Sequence, residues 1–311
     1  MPRFVTVGCA QLGPIARSET RAQVVRRLIE LMRQAHGMGC DVIVYPELAL
    51  TTFFPRWVLS DQAEIDSFYE REMPGAETRP LFAEAETLKI GFHLGYAELV
   101  DEGGRKRRFN TSILVDKNGR IVGRYRKIHL PGTADAVEGR QGQHLEKHYF
   151  EVGDLGFGVF RAFGGIMGMC ICNDRRWPET YRVMGLQGVE MVLLGYNTPV
   201  HNPPAPEHDL LANFHNRLCM QAGAYQNGTW VVGVAKCGRE EGCDMIGQSQ
   251  IIAPSGETVA MCTTLGDEFC VARCDLDLTR SYKETVFNFA KHRRPEHYRM
   301  IVERTGAIRP Q

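Results

Sequence analysis

The chain has 311 residues, 43% apolar and 24% charged, with 37 lysines and arginines balancing 37 acidic side chains. That length buries a sizeable core, and the neutral balance argues against a nucleic-acid partner, which calls for a basic excess. No stretch approaches the roughly 18 uninterrupted apolar residues of a membrane helix.

Residues 4–10 (FVTVGCA) form the short apolar run of a buried strand. Ser18 is placed to cap a helix over about 19–36, where Val24, Val25, Leu28, Ile29, Leu31 and Met32 recur at helical spacing. Gly37 and Gly39 end it, and 41–45 (DVIVY) reads as the next buried strand, a β-α-β opening. A helix over 79–89 precedes a strand over 90–97, and strands at 111–115 and 120–125 flank the hairpin signal Asn118-Gly119. The second half repeats the theme. Strand 166–171 leads to a helix near Pro178, strand 189–194 to a helix over 208–226, and strands follow at 229–235, 246–253 and 269–275. No short repeat or low-complexity linker interrupts this, so residues 1–281 read as a single α/β domain. Residues 282–311 carry Phe287, Phe289, Tyr298, Met300 and Ile301 among many charges and read as a tail docked on a partner subunit.

The N-terminus, MPRF, runs straight into the first strand without the charged, apolar and cleavage regions of an export signal. A cytoplasmic setting is expected, in which the ten cysteines stay free. There is no C-x-x-C and no H-E-x-x-H, so no metal is expected.

Open α/β folds build their sites at the carboxyl ends of strands. Glu47 follows strand 41–45 directly, in VIVYPELAL, as a solvated strand end or a poised general base. Lys127 ends the second hairpin strand; period 2 puts it on the face of Tyr125, where an inward ammonium needs an anionic partner such as Glu47. Cys172 sits between the buried strand 166–171 and the helix near Pro178, a strand-to-helix elbow of the kind that lifts a nucleophile into a cleft. Nearby cations and the helix start are expected to favour its thiolate. Cys170, on the same strand face, reads as core.

Glu47 in VIVYPELAL, Lys127 in RYRKIHLPG and Cys172 in CICNDRRWPE resemble, in order, the glutamate–lysine–cysteine triad of the nitrilase, or carbon–nitrogen hydrolase, superfamily. Longer segments are similar to the N-carbamoyl-D-amino-acid amidohydrolase family: LALTTFFPRW (48–57), LGYAELV (94–100), RRFNTSILVD (107–116), QHLEKHYFE (143–151), CNDRRWPETYRVMGL (172–186) and GYNTPVHNPP (195–204). The segment TADAVEGRQG (133–142) departs from that family and lies just before His144 and Glu146.

The resemblance implies a four-layer α-β-β-α sandwich and hydrolysis of N-carbamoyl-D-amino acids through a cysteine-linked intermediate, without a cofactor. It makes Cys172 the nucleophile, Glu47 the base, Lys127 an oxyanion partner, and Glu146 a second glutamate that holds Lys127 or protonates the leaving nitrogen. Arg175 and Arg176 suit a substrate carboxylate, because a guanidinium matches it bidentately. Asn173, Asn197 and Thr198 resemble family positions lining the pocket, and His129 and His144 are neutral hydrogen-bonding candidates. Assembly as a homodimer or homotetramer is also implied. The alternatives are a β-ureidopropionase or another amidase of the superfamily, and a metal-dependent amidohydrolase drawing on His201, His208 and His215. Pro203, Pro204 and Pro206 keep His201 off any helix shared with the other two.

Overall fold

The computed structural model describes residues 2–137 and 143–310. Strand β1 (Phe4–Gln11) is followed by helix α1 (Arg21–Gly37), β2 (Val42–Val44), the short α2 (Gln62–Ser67) and α3 (Arg79–Leu88). Next come β3 (Gly91–Glu102), β4 (Arg105–Val115), β5 (Ile121–Arg126) and the single turn α4 (Glu146–Tyr149). The second half runs β6 (Val159–Ala162), β7 (Gly165–Ile171), α5 (Pro178–Leu186), β8 (Met191–Tyr196), α6 (Ala212–Asn227) and β9 (Trp230–Ala235). A two-stranded β10 (Cys237–Glu240) and β11 (Cys243–Ile246), then β12 (Gln250–Ile252), β13 (Thr258–Met261), β14 (Glu268–Asp275) and α7 (Leu278–Glu284) complete the body.

Two six-stranded sheets result, ordered β14-β1-β2-β3-β4-β5 and β13-β12-β9-β8-β7-β6. Each has three parallel strands at its centre, β1-β2-β3 and β7-β8-β9, with antiparallel strands on either side. The sheets face each other and helices cover their outer faces, which makes the four-layer α-β-β-α sandwich. Strand β2 shows why. Val42 and Val44 point into the core between the sheets, with Met169, Ile171 and Leu193. Ile43 and Tyr45 point the other way, into a second core with Val24, Leu28 and Leu81. Strands buried on both faces read as continuous apolar runs, as 42–45 does.

Local chemistry moves several boundaries. Helix α1 is capped by Thr20, not Ser18: its side chain accepts from Gln23 N–H while the Gln23 side chain reaches back to Thr20 N–H. Thr20-x-x-Gln23 is a capping box, and Ser18 has no Glu or Gln three residues on. Strands β3 and β4 extend far beyond the apolar runs 90–97 and 111–115, turning at Gly103-Gly104, both with positive φ. Their charged extension is stable because the buried Glu98 accepts from Arg126 at 2.8 Å, Arg124 at 3.0 Å and Thr111 at 2.8 Å. The run 246–253 splits between β11 and β12, and 208–226 begins as a 3-10 turn (Pro206–Leu211) before α6. Of the tail, Phe287 packs edge-on against Tyr225 of α6, and Phe289 lies under Arg182 of α5. All ten cysteines are unpaired. No helix among the described residues is long and apolar enough to cross a membrane.

Candidate active site

The chain leaves β2 at Val44 and threads Pro46-Glu47 between the carboxyl ends of the two sheets. Two glycines make room. A Cβ on Gly195 of β8 would lie 2.2 Å from Glu47 N, and one on Gly95 of β3 would lie 2.8 Å from Glu47 Cα. Only hydrogen fits at either position. The Glu47 carboxylate is therefore fully buried.

Lys127, just past β5, places its ammonium 2.7 Å from Glu47 Oε1 and 2.6 Å from Glu146 Oε2, with all three side chains out of solvent. Burial works against the Lys127 charge, but Glu146 and Glu47 outweigh it, so its pKa lies above the ordinary lysine range. Burial pushes Glu146 up to about 7, reinforced by Glu47 and opposed by Lys127.

Cys172 takes the left-handed φ of +48° at the end of β7, the strained backbone of a nucleophile elbow. The elbow is pinned from behind by Asp174, which the sequence reading missed. Its buried carboxylate accepts from Ile171 N–H at 2.9 Å, His129 N–H at 2.9 Å, His129 Nδ1 at 2.8 Å and Tyr125 Oη at 2.7 Å. The thiol lies 3.9 Å from the Asn197 carbonyl oxygen and 3.8 Å from Arg175 Nη1. Burial and Glu47 push its pKa up to about 11, against the pull of Lys127 and Arg175. This corrects the expectation of a resting thiolate: at neutral pH the sulfur is protonated, and a base must activate it.

The structure divides the residues expected to bind substrate. A cavity of about 570 Å³ opens over Cys172 and is lined by Asn173, Arg176, Thr198 and His144. Arg176 is exposed there and has no hydrogen-bond or ion-pair partner among the described residues. Arg175 is buried instead, donating to the Cys172 carbonyl at 2.6 Å, Thr198 Oγ1 at 2.8 Å and Asn216 Oδ1 at 2.9 Å, with its guanidinium over the Tyr196 ring. Its donors are already engaged in holding the elbow. Asn197 is likewise buried, donating from its backbone and side chain to Glu47. His129 stacks on Trp177 behind the elbow, its ring held by Asp174. His144 meets the Phe53 ring edge-on, and burial, with Lys127 second, lowers its pKa to about 4, which keeps the imidazole neutral.

His201, His208 and His215 all stand at the cavity rim. His201 pairs with Asp209 at 2.6 Å, while His208 and His215 meet ring to ring. Among the described residues no group of three or more His, Cys, Asp or Glu side chains is arranged to hold a metal ion. Of the departing segment 133–142, Thr133, Asp135 and Val137 line the cavity, and 138–142 lie outside the described residues.

A buried glutamate–lysine pair beside a thiol on a strained elbow, between two sheets sandwiched by helices, defines a cysteine-dependent hydrolase of α-β-β-α architecture. Residues 6–284 match the carbon–nitrogen hydrolase family, and the chain belongs to it. It is an amidase of the nitrilase superfamily, acting on C–N bonds. It is 31% identical to the N-carbamoylputrescine amidase of Arabidopsis thaliana, over 98% of each chain. The fold is shared with a carbon–nitrogen hydrolase from Helicobacter pylori G27 (TM-score 0.82, 22% identity, 97% of this chain and 99% of that one). It is also shared with an amidase from Nesterenkonia sp. AN1 that carries a covalent acetamide moiety of fluoroacetamide at its active-site cysteine (TM-score 0.72, 18% identity, 96% of each chain).

Proposed function

We propose that this enzyme hydrolyses the carbamoyl C–N bond of N-carbamoyl-D-amino acids, giving the D-amino acid, ammonia and carbon dioxide. The observation that carries the reading is the unpartnered Arg176 guanidinium on the cavity wall, facing the space over Cys172. Among the described lining residues the one acidic side chain is that of Asp135. A guanidinium without a partner suits a carboxylate and repels an ammonium. That favours a carbamoyl amino acid over N-carbamoylputrescine, the substrate in the name of the Arabidopsis relative. The D preference rests on the sequence segments similar to the D-specific family.

In this mechanism Glu47 takes the Cys172 thiol proton as Sγ bonds to the ureido carbon. The carbonyl electron pair moves to oxygen, where Lys127 and the backbone N–H groups of the elbow stabilise the oxyanion. A ureido carbonyl is a poor electrophile because two nitrogens donate into it, so this stabilisation matters; one such donor is worth about 3–4 kcal/mol. Collapse of the oxyanion breaks the C–N bond, and the leaving nitrogen takes a proton from the carboxyl pair Glu47–Glu146. Water, deprotonated by Glu47, then adds to the carbon of the resulting thiocarbamate and expels the Cys172 sulfur, which takes back the proton. The carbamic acid released breaks its remaining C–N bond by itself, giving the second amine and carbon dioxide.

We further propose a homodimer or homotetramer. Phe214 and Leu218 on α6, with Met300, Val302 and Ile308 of the tail, are exposed apolar side chains in this chain alone. Sedimentation at the monomer mass would refute assembly. Ammonia release from paired D- and L-N-carbamoyl amino acids, with N-carbamoylputrescine alongside, tests the substrate. Faster turnover of the L series, or of the putrescine compound, would overturn the reading.

A further inference from the structure

The two catalytic carboxylates are bridged twice, and only one bridge is the lysine. Asn110 of β4 directs its side-chain Nδ2 to Glu47 Oε1 at 2.8 Å and to Glu146 Oε2 at 3.4 Å. These are the same two oxygens that Lys127 Nζ contacts. The amide orientation follows from chemistry: the reverse one would set Oδ1 against two carboxylates. As observed, Oδ1 is buried without a partner among the described residues, an arrangement that costs free energy.

We propose that Asn110 is a positioning residue that holds Glu47 and Glu146 as a matched pair of acceptors and fixes where their shared proton resides. An amide N–H and an ammonium only donate, so Glu47 Oε1 and Glu146 Oε2 must both accept. Glu47 Oε2 is engaged too, accepting from Asn197 N–H at 2.9 Å. Glu146 Oε1 is the one oxygen of the pair without a partner among the described residues, and it is therefore the atom that carries the proton when the pair holds one. Burial holds Glu146 up at about 7, so it is the member of the pair that carries a proton near neutral pH. The charged and titratable groups facing it are Lys127 between the carboxylates, the Cys172 thiol, and His144. Arg175 lies beyond the thiol, and Arg56 and Lys236 lie behind the Glu47 loop. Asn110 is the uncharged donor among them that touches both carboxylates.

The inference rests on the family reading of the site and on no particular substrate, so its test uses none. Alkylation of Cys172 by iodoacetamide, followed by mass spectrometry across pH, rises in a lower step as Glu146 ionises and the pair can accept the thiol proton. It rises again at high pH as the thiol itself ionises. A donor to an ionised carboxylate lowers its pKa, so removing the donor raises it. In Asn110→Leu the lower step moves up by about one pH unit. In Asn110→Asp, isosteric and adding a third carboxylate, it moves up further. The strand bond from Lys127 N–H to the Asn110 carbonyl, 2.8 Å, survives both substitutions. If Asn110→Leu does not fold, Asn110→Asp carries the measurement alone. A lower step that stays at the wild-type pH, or falls, in the folded variants overturns the proposal, whatever happens to the melting temperature. If the step moves while no carbamoyl amino acid is hydrolysed, the substrate reading fails and this one stands.

Discussion

Asn197 grips Glu47 at both ends: its backbone N–H donates to the carboxylate at 2.9 Å, and its side-chain amide donates to the Glu47 carbonyl at 2.8 Å. One residue past β8 thus fixes the carboxylate that follows β2, while its own carbonyl faces the Cys172 thiol. Asn197→Ala keeps the backbone donor and loses the side-chain one. Steady-state kinetics should show kcat lowered about tenfold or more with KM nearly unchanged, since small misplacements of a catalytic group are costly. A change confined to KM would return Asn197 to the substrate pocket.

The proposed nucleophile and base should separate cleanly from folding. Cys172→Ser and Glu47→Gln are near-isosteric, so circular dichroism should be unchanged while turnover of any carbamoyl substrate is lost almost completely. Turnover in Cys172→Ser within tenfold of wild type, roughly a 1.4 kcal/mol effect, would transfer the role elsewhere.

The two adjacent arginines should give opposite phenotypes. Arg176→Ala removes an exposed, unpartnered guanidinium and should raise KM for carbamoyl amino acids, leaving uncharged amides and the melting temperature nearly untouched. Arg175→Ala leaves the Cys172 carbonyl, Thr198 and Asn216 without their buried partner. It should destabilise the fold by about 2–4 kcal/mol and lower kcat for every substrate. Identical effects of the two variants would refute this division.

His93 lies wholly inside the protein, Nδ1 at 3.3 Å from the Tyr45 carbonyl, and burial lowers its pKa from 6.5 to about 4. The unfolded chain therefore binds a proton near pH 6.5 that the native state refuses until about pH 4. The stability this group contributes is present above the unfolded value and is lost as pH falls through that window, on the order of 3 kcal/mol in all. Glu146, whose pKa is raised, works in the opposite direction over part of the same range. A comparison of wild type with His93→Leu isolates the histidine. Between pH 7 and 5 the wild-type melting temperature should fall more steeply than the variant's; parallel curves would contradict the assignment.

A protonated resting thiol also bears on oxidation, because the thiolate is the reactive form. Peroxide should inactivate the enzyme, and faster as pH rises from neutral to about 9, since Cys172 titrates near 11. Inactivation at a rate independent of pH, or none at all, would argue against a thiol in this state.

The sequence by itself determined the architecture and marked Glu47, Lys127 and Cys172, three side chains that the fold brings together. Apolar runs such as 42–45 and 191–194 suit strands covered on both faces, and polar residues at their carboxyl ends mark where a cleft opens. It did not show that charged segments such as 98–110 continue the sheet, because that depends on Glu98 meeting Arg126 from a strand more than twenty residues away. Nor did it tell Arg175 from Arg176. The two adjacent guanidiniums are chemically identical, and only the turn of backbone after Cys172 sends one into Thr198 and Asn216 and the other into the cavity. Asn110 and Asp174 were silent for the same reason. A single amide in a strand and a single acid after a cysteine acquire meaning only when packing brings two or three distant donors and acceptors to within 3.5 Å of them. Periodicity is written locally and survives in the sequence; hydrogen-bond partnership across two sheets is a property of three-dimensional closure, and there the fold alone decided.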